Sequence, residues 1–534
     1  MSSNQYLLRI AGINIYSSIK DTEQLSVYRG ASLLLKQVIV DFIESANDFE
    51  IDTLKRLSSG ASEGLFSIQV DNSIDTSIQL IKTWLAEHPA YQYFTFVVEA
   101  VDYNGQNFRQ ANERLIALCR FSQMKQFSLA LPDWNNNPAV HVCAVDRIKP
   151  AVIVKSKPCP ADQNYCSASV SSRFMYGREQ RQAFYADQTG LRELEFTDEL
   201  SEITEDTDNN KGNLANKLAL IYFDGNGFGA IQAGCMDENE LKQFDRYIQQ
   251  KRKEFLKAFI EKISTDKDFK NGNKIRLEVL LWGGDELTLV VPAWKGLEVV
   301  QFFYEYTRSW YYPQNSKKDN KKHRLTHSGG LVFSQPKTSI HKLHDLARDL
   351  AEHVKNIASD KDENSGRKNN WFDYLILESI DYPTQALNQF WEQRYGSNIS
   401  EGRGPLKALD QSYSCLADLK SCLAKNQLYQ LVTDIMQQEK PDQADTSRLE
   451  SLLLENQNHI KAKIPACKEI PNSPRSVFQT INGILNQHFS TDNSNKEDIT
   501  FNPWSWIHFL ELWDFIPTAA DDKHSADKQM AGGQ

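Results

Sequence analysis

The chain has 534 residues, of which 70 are acidic and 60 are basic, so its formal charge is −10. This length predicts several domains, and the acidic balance argues against a protein that coats nucleic acid non-specifically. No apolar run approaches the ~20 residues of a membrane-spanning helix, and no apolar leader precedes Tyr6. Eight cysteines are scattered without a dense framework, which fits a reducing cytoplasm.

The first hundred residues alternate between strand and helix periodicity. We predict a strand at residues 6–16, a helix at 31–43 and a hairpin at 49–70, followed by a helix at 76–86 and a strand at 91–101. This βαββαβ order is that of a ferredoxin-like domain. The hairpin tip, which includes Ser59 and Gly60, is rich in small and hydroxyl-bearing residues, and Glu63 is its one carboxylate.

The middle of the chain leaves two questions open. Cys143, Cys159 and Cys166, with His141 as a fourth ligand, could hold zinc, but they include no C-x₂-C pair, so ordinary reduced cysteines are the favoured interpretation. Three arginines between residues 173 and 181 could contact phosphates. The favoured interpretation is a solvated linker helix.

A second βαββαβ pattern begins with an apolar run, residues 218–223, which ends at Asp224. A helix is predicted next, at residues 238–262, followed by the two hairpin strands at 275–282 and 287–291. A second helix at 297–310, a strand at 328–333 and a closing helix at 340–355 complete the pattern. Both acidic motifs therefore fall at neighbouring strand ends of one sheet.

The tip of the second hairpin reads Gly283-Gly284-Asp285-Glu286. Together with Asp224, it supplies the carboxylates that Mg²⁺ takes beside substrate phosphates, and two such ions can clamp both oxygens of a phosphoryl transfer. Glycines allow the backbone to lie against phosphate oxygens. A structural polar turn is the alternative, but the order of elements favours the metal site.

These motifs resemble the nucleotide-cyclising palm of the large, polymerase-like subunit of type III CRISPR effectors and, more distantly, the GGDEF diguanylate cyclases. Asn226 departs from the CRISPR family, in which a second Asp is common, and Glu286 ends the tip as in the GGDEF enzymes. Lys355 stands where both families carry a lysine that can reach the triphosphate. Residues 28–32, 403–406 and 509–515 resemble other parts of the CRISPR subunit less specifically.

The resemblance implies a nucleotidyltransferase that converts nucleoside triphosphates, ATP by analogy, into a cyclic or short oligonucleotide messenger with release of pyrophosphate, in antiviral defence. Asp224, Asp285 and Glu286 would be the catalytic residues and the ligands of two Mg²⁺ or Mn²⁺ ions. The expected nucleotide-binding residues are Gly225, Asn226, Gly227, Phe228, Gly283, Gly284 and Lys355, with Ser59 and Gly60 leaving room for an acceptor nucleotide.

The first copy of the pattern lacks these acids, because Ala11 stands at the position of Asp224. It is either purely structural or completes the site as a second nucleotide pocket. The only adjacent His-Asp pair, His344-Asp345, falls inside a predicted helix, so DNA cleavage by the phosphohydrolase domain of related subunits is not expected.

The predicted fold class is α+β, with a degenerate and a catalytic ferredoxin-like palm followed by a helical domain. We expect the first palm at residues 1–110, a cysteine-containing linker at 111–210 and the second palm at 211–380. A helical domain at 381–518 and a disordered tail at 519–534 follow. Expected partners are nucleoside triphosphates, with RNA or CRISPR-type subunits as activators and no membrane. The alternatives are a non-catalytic scaffold that binds RNA and a nucleotide sensor.

Overall fold

A computed structural model of the chain describes residues 4–105, 107–126, 141–153, 165–313, 322–360, 369–378, 382–395, 403–407, 413–438, 444–471, 473–489 and 501–517. Cys159 and the predicted disordered tail, 519–534, lie outside these residues. None of the helices in the described ranges is both long and apolar enough to cross a bilayer.

The first palm, residues 4–102, is a four-stranded antiparallel sheet with helices on it. Its elements in chain order are β1 (Asn4–Ile13), α1 (Ile15–Ile19), α2 (Leu25–Glu44), β2 (Thr53–Ser59), β3 (Glu63–Val70), α3 (Ile74–Glu87) and β4 (Thr95–Asp102). The strand order is β2-β3-β1-β4, which confirms the predicted βαββαβ pattern. Helix α2 begins six residues before its predicted start, because Leu25, Val27 and Tyr28 already pack into the core.

The segment between the palms contains helices and a small three-stranded sheet. Its elements are α4 (Phe108–Gln123), β5 (His141–Val142), β6 (Pro150–Ile153), β7 (Tyr165–Cys166), α5 (Ala168–Thr189) and α6 (Leu200–Thr204). Cys143 is a buried free thiol, and Cys166 is disulfide-bonded, so the interpretation of all these cysteines as reduced is wrong for Cys166. Asp146 accepts hydrogen bonds from the backbone of Ile148 and Lys149 and therefore shapes a turn.

The second palm, residues 218–376, repeats the first and extends it. Its elements are β8 (Leu218–Gly225), α7 (Phe228–Gly234), α8 (Glu238–Ile263), β9 (Lys270–Asn271), β10 (Lys274–Ile275), β11 (Glu278–Gly283), β12 (Glu286–Pro292), α9 (Gly296–Thr307), β13 (Tyr311–Pro313), β14 (Lys322–Arg324), β15 (His327–Ser334), α10 (Ile340–Asp360) and β16 (Trp371–Ile376). The sheet order is β11-β12-β8-β15-β16, completed by β17 (Leu406–Lys407). Strand β16, which the sequence analysis missed, runs parallel to β15.

The described part of the C-terminal region is helical, as predicted. It contains α11 (Leu387–Tyr395), α12 (Ser414–Cys422), α13 (Lys425–Met436), α14 (Ser447–Glu455), α15 (Gln457–Lys463), α16 (Pro474–Phe489) and α17 (Pro503–Glu511). Its aromatic residues are core, since Trp506 and Phe509 are fully buried and Phe515 packs on Phe333 of β15.

The two palms share one apolar core. Leu8 and Phe66 of the first sheet belong to the same buried cluster as Leu220 and Tyr222 of the second, with Leu346 of α10 among them. Burial of apolar side chains from both sheets in one cluster favours a fixed arrangement of the palms.

Helices α2 and α5 cross where two glycines meet. A Cβ on Gly30 would lie 1.8 Å from the carbonyl oxygen of Arg173, and a Cβ on Gly177 would lie 2.1 Å from that of Ser26. Only residues without side chains let two helix backbones approach this closely. The crossing ties the first palm to the linker helix.

Buried ion pairs surround this crossing. Arg29 of α2 donates two hydrogen bonds of 2.6 Å to the two carboxylate oxygens of Glu278, the first residue of β11. Arg181 of α5 lies 3.2 Å from the same carboxylate. Arg173 is also buried and binds Asp21. The prediction of a solvated linker helix is therefore wrong for Arg173 and Arg181, because these side chains join α5 to both palms.

Candidate active site

Asp224 and Asp285 meet at one end of the second sheet. Asp224 is the penultimate residue of β8, where it pairs with Glu286 of β12 on one side and Ser328 of β15 on the other. The backbone N–H of Gly225 donates to the carbonyl oxygen of Asp285 at 3.1 Å. This bond holds the hairpin tip beside the end of β8, so both predicted acids share one site.

Charge at this site is concentrated and only partly compensated. Burial, and then the neighbouring Asp224, raise the pKa of Asp285 to about 6. The ammonium group of Lys355, which α10 brings over the same sheet face, forms an ion pair with Asp224. The predicted lysine therefore does reach the acidic residues.

Glu286 is oriented by a residue that the sequence analysis did not identify. The hydroxyl of Tyr222 donates to Glu286 Oε1 at 2.6 Å. Tyr222 lies two residues before Asp224 and hence on the same face of β8. Burial, and then Glu286, raise the pKa of the Tyr222 phenol, so this hydroxyl stays a proton donor. One oxygen of Glu286 is thereby already engaged.

The loop after β8 is fixed by Asn226. Its side-chain nitrogen donates to the Thr326 hydroxyl at 3.2 Å, and its side-chain oxygen accepts from the Ser328 hydroxyl at 2.9 Å. The amide thus joins the loop to β15, whereas an aspartate could accept but not donate. Gly227 has a φ of 74° and precedes α7. The side chain of Phe228 is buried in the core, so a contact of this predicted nucleotide-binding residue with a nucleotide would have to come from its backbone.

The hairpin tips of the two palms touch. A Cβ on Gly283 would lie 2.0 Å from the Cβ of Ala61, so the first glycine of the tip is required by contact with the first palm. Ser59 faces α8 instead, where its N–H donates to Asp245 and its hydroxyl accepts from Gln249. The backbone of Gly60 donates to Glu63 within its own turn.

The two hairpins correspond in strand pairing and register. Ala11 pairs with Glu63 as Asp224 pairs with Glu286. Gly12 N–H donates to the Ser62 carbonyl at 2.8 Å, the counterpart of the Gly225–Asp285 bond. Both hairpins also carry a register shift three residues before the first tip glycine, between Arg56 and Ser58 and between Val279 and Leu281. The first palm therefore keeps the strand pairing and the tip hydrogen bond of the site, with Ala11 and Ser62 in place of the two acids. The turn itself differs, because Gly284 has a φ of 51° and its counterpart Ala61 does not have a positive φ.

Arg252 of α8 supports the hairpin of the second palm from behind. Its Nη1 donates to the carbonyl oxygen of Gly284 at 3.1 Å, and its guanidinium lies 4.4 Å from the ring centroid of Trp282. Its Nε and Nη2 are buried without a hydrogen-bond partner in the described structure. Burial lowers the pKa of Arg252 to about 10, against the charges of Asp285 and Asp245. No sequence motif marks this residue, because its partners lie on another element.

The donor set suits a hard divalent cation that arrives with phosphates. Asp224 and Asp285 lie side by side, and the ammonium of Lys355 already occupies a cation position on Asp224. Within the described residues, no group of three or more His, Cys, Asp or Glu side chains could hold a metal ion by itself. Mg²⁺ commonly binds to one or two carboxylates and takes its other ligands from substrate phosphates and water.

Comparisons with known proteins give a family for this domain. The family model described as "Cas10/Cmr2, second palm domain" matches residues 217–365. No curated protein matches the chain. Similar solved structures include the Csm1-Csm4 cassette in complex with pppApApA (TM-score 0.49, 12% identity, covering 97% of this chain and 70% of that one) and Csm1 in T. onnurineus (0.46, 12%, 97% and 70%). The matched segment contains Asp224, Asp285, Glu286 and Lys355. Residues 217–365 therefore match the second palm domain of the Cas10/Cmr2 family.

Proposed function

We propose that the second palm is a metal-dependent nucleotidyltransferase that joins nucleoside triphosphates, ATP first among them, into a cyclic or short oligonucleotide messenger for antiviral defence. The observation that carries the proposal is the contact between the end of β8 and the hairpin tip, which sets Asp224 beside Asp285 with Lys355 on Asp224. Paired acids with a lysine ammonium group beside them suit a triphosphate that brings its own Mg²⁺ or Mn²⁺.

Each residue has a defined task in this proposal. Asp224 and Asp285 would hold two Mg²⁺ or Mn²⁺ ions, which supply charge neutralisation and acidify the attacking hydroxyl. Lys355 would exchange Asp224 for the leaving phosphates, and Glu286, oriented by Tyr222, would hold coordinated water. The ribose hydroxyl oxygen of the acceptor forms a bond to the α-phosphorus. The bond from that phosphorus to pyrophosphate breaks, and the hydroxyl proton passes to solvent.

The first palm would provide the acceptor side. Its tip touches the catalytic tip through Ala61 and Gly283, so an acceptor held there is close to the donor. Ala11 and Ser62 leave space where the second palm carries acids. Because Ser59 binds Gln249 on α8, its role is to fix the tip rather than to contact the nucleotide directly.

The test is product analysis by mass spectrometry after incubation of the purified chain with Mg²⁺ or Mn²⁺ and each nucleoside triphosphate. Asp224→Asn should abolish the product, whereas Asp71→Asn, which removes an exposed acid after β3, should not. Addition of RNA or of partner subunits forms a second arm. Equal product from wild type and Asp224→Asn would refute the proposal.

A nucleotide sensor is the second candidate. Asn226 has an amide in place of a further carboxylate, and both its side-chain nitrogen and its side-chain oxygen bond to other residues, Thr326 and Ser328. A sensor predicts ATP binding that depends on Asp224 but no product in any arm. Equilibrium dialysis with labelled ATP on the same variants separates the two functions.

A further inference from the structure

A cationic cavity lies between the two palms, on the strand that leads to the first tip. Its volume is about 280 Å³, and its walls are β2 of the first palm and α8 of the second. We call it the seam pocket and define it by its lining residues: Leu54, Lys55, Arg56, Leu57, Lys242, Asp245 and Arg246. It is separate from the site formed by Asp224, Asp285 and Lys355, none of which lines it.

Four of the seven lining side chains are cations, whereas Asp245 is the only acid among them. Asp245 is occupied, because it accepts from the backbone of Ser59 and from Gln249. Lys55 has an ion pair with Glu238. The side chains of Arg56, Lys242 and Arg246 form no ion pair or hydrogen bond with any other residue that the structure describes.

These cations repel each other in the free protein. Burial, and then Arg246, Lys55 and Arg56, lower the pKa of Lys242. Like charges gathered around a cavity are destabilising unless an anion enters. In a chain with a net charge of −10, such a cluster is a local exception, which points to a specific anion rather than to general attraction of long polyanions.

We propose that the seam pocket binds a compact polyphosphate, either free pyrophosphate or the triphosphate group of a nucleotide. Two arginines supply the forked donors that suit phosphate oxygens, and two lysines add charge. Because Lys55 and Arg56 belong to the first palm and Lys242 and Arg246 to the second, the ligand ties the palms together next to the Ser59–Asp245 contact.

Isothermal titration calorimetry of the full chain with sodium pyrophosphate, in metal-free buffer with chelator, tests this site. Without metal the catalytic acids repel the ligand, so binding there is suppressed. Wild type should bind one equivalent, and Arg56→Gln/Arg246→Gln should weaken that binding at least tenfold. A matched double variant, Arg114→Gln/Arg120→Gln, removes two exposed arginines of α4 and should leave the affinity unchanged. Titration with ATP in the same buffer distinguishes the free from the nucleotide-borne polyphosphate.

The proposal is overturned if wild type shows no heat with either ligand, or if both double variants bind equally well. It is also overturned if Lys355→Ala abolishes the binding, since the ligand would then sit in the catalytic site. Binding of single-stranded RNA without binding of either small ligand would assign the cations to a nucleic-acid surface instead. These outcomes do not depend on nucleotide synthesis, so an inactive palm leaves the test intact.

Discussion

The position of Asp285, buried and beside Asp224, makes its charged form less stable than that of an exposed carboxylate. Its pKa of about 6 lies above the ordinary 3.8, so the folded protein binds this proton more tightly than the unfolded chain. The contribution to stability is complete below about pH 3.8 and is lost as the pH rises through about 6. At pH 7.5, in the absence of metal, the carboxylate therefore destabilises the fold.

The corresponding prediction is that Asp285→Asn abolishes product formation but stabilises the metal-free protein. Removal of the buried charge should raise the free energy of unfolding by about 1–2 kcal/mol at pH 7.5, after allowance for solvent screening. Urea denaturation at pH 7.5 and pH 4.5 measures this, and the difference from wild type should shrink at the lower pH. A destabilised variant at pH 7.5 would show that the tip needs the carboxylate for folding.

At the scale of residues, the sequence predicted the acidic side chains of the site but not the residues that hold them in place. Asp224 and Asp285 were identifiable because each follows or interrupts an apolar run with glycines beside it. Tyr222 and Arg252 were not, since their partners, Glu286 and the Gly284 carbonyl, lie on other elements. Burial of the Phe228 side chain was not predicted, because an aromatic residue in a loop beside glycines has no periodicity that reveals burial.

At the scale of elements, the α2–α5 crossing depends on two missing side chains. Gly30→Ala would place a Cβ 1.8 Å from the Arg173 carbonyl oxygen, which belongs to backbone and cannot rotate away. The helices would have to separate, and we expect a loss of at least about 2 kcal/mol. Gly483→Ala in α16 is the matched control, since its Cβ meets nothing within 4 Å. The control should gain up to about 1 kcal/mol from helix propensity.

Thermal denaturation of both glycine variants gives the comparison. A Gly30→Ala protein as stable as wild type would mean that α5 is free to shift against α2. The sequence predicted both helices, but not that they cross at these glycines. Gly177 lies 147 positions after Gly30, and the pattern of one helix does not show where the other helix packs. Strand β16 was missed for a similar reason. It is a strand because it pairs in parallel with β15, and no local turn in the sequence marks that pairing.

At the scale of the whole molecule, Glu278 joins three parts of the chain. It receives Arg29 from the first palm and Arg181 from the linker helix, and all three side chains are buried. Glu278→Gln would leave the buried guanidinium of Arg29 without an ion-pair partner and that of Arg181 with Asp198 alone. Removal of one partner from a buried ion pair costs about 3–5 kcal/mol in comparable sites. Glu113→Gln, which removes an exposed partner of Arg109, should cost less than about 0.5 kcal/mol.

Urea denaturation again gives the free energies, and limited proteolysis shows whether α5 becomes accessible. An equal effect of the two substitutions would contradict the structural role of Glu278. The sequence predicted two palms in one chain, but Arg181, one of the buried charges that join them, was expected on a solvated helix, since charged residues usually lie in solvent.

The matched hairpins of the two palms also bear on how the first palm lost its acids. Strand pairing, the register shift and the hydrogen bond at the tip are retained there, whereas Ala11 and Ser62 stand at the positions of the two acids. Ala11→Asp/Ser62→Asp would rebuild the acid pair on an intact frame, and Mn²⁺ binding followed by electron paramagnetic resonance should then report additional bound ions relative to wild type. Because the strand pairing of the first palm is preserved, we expect these two substitutions to be sufficient for metal binding there.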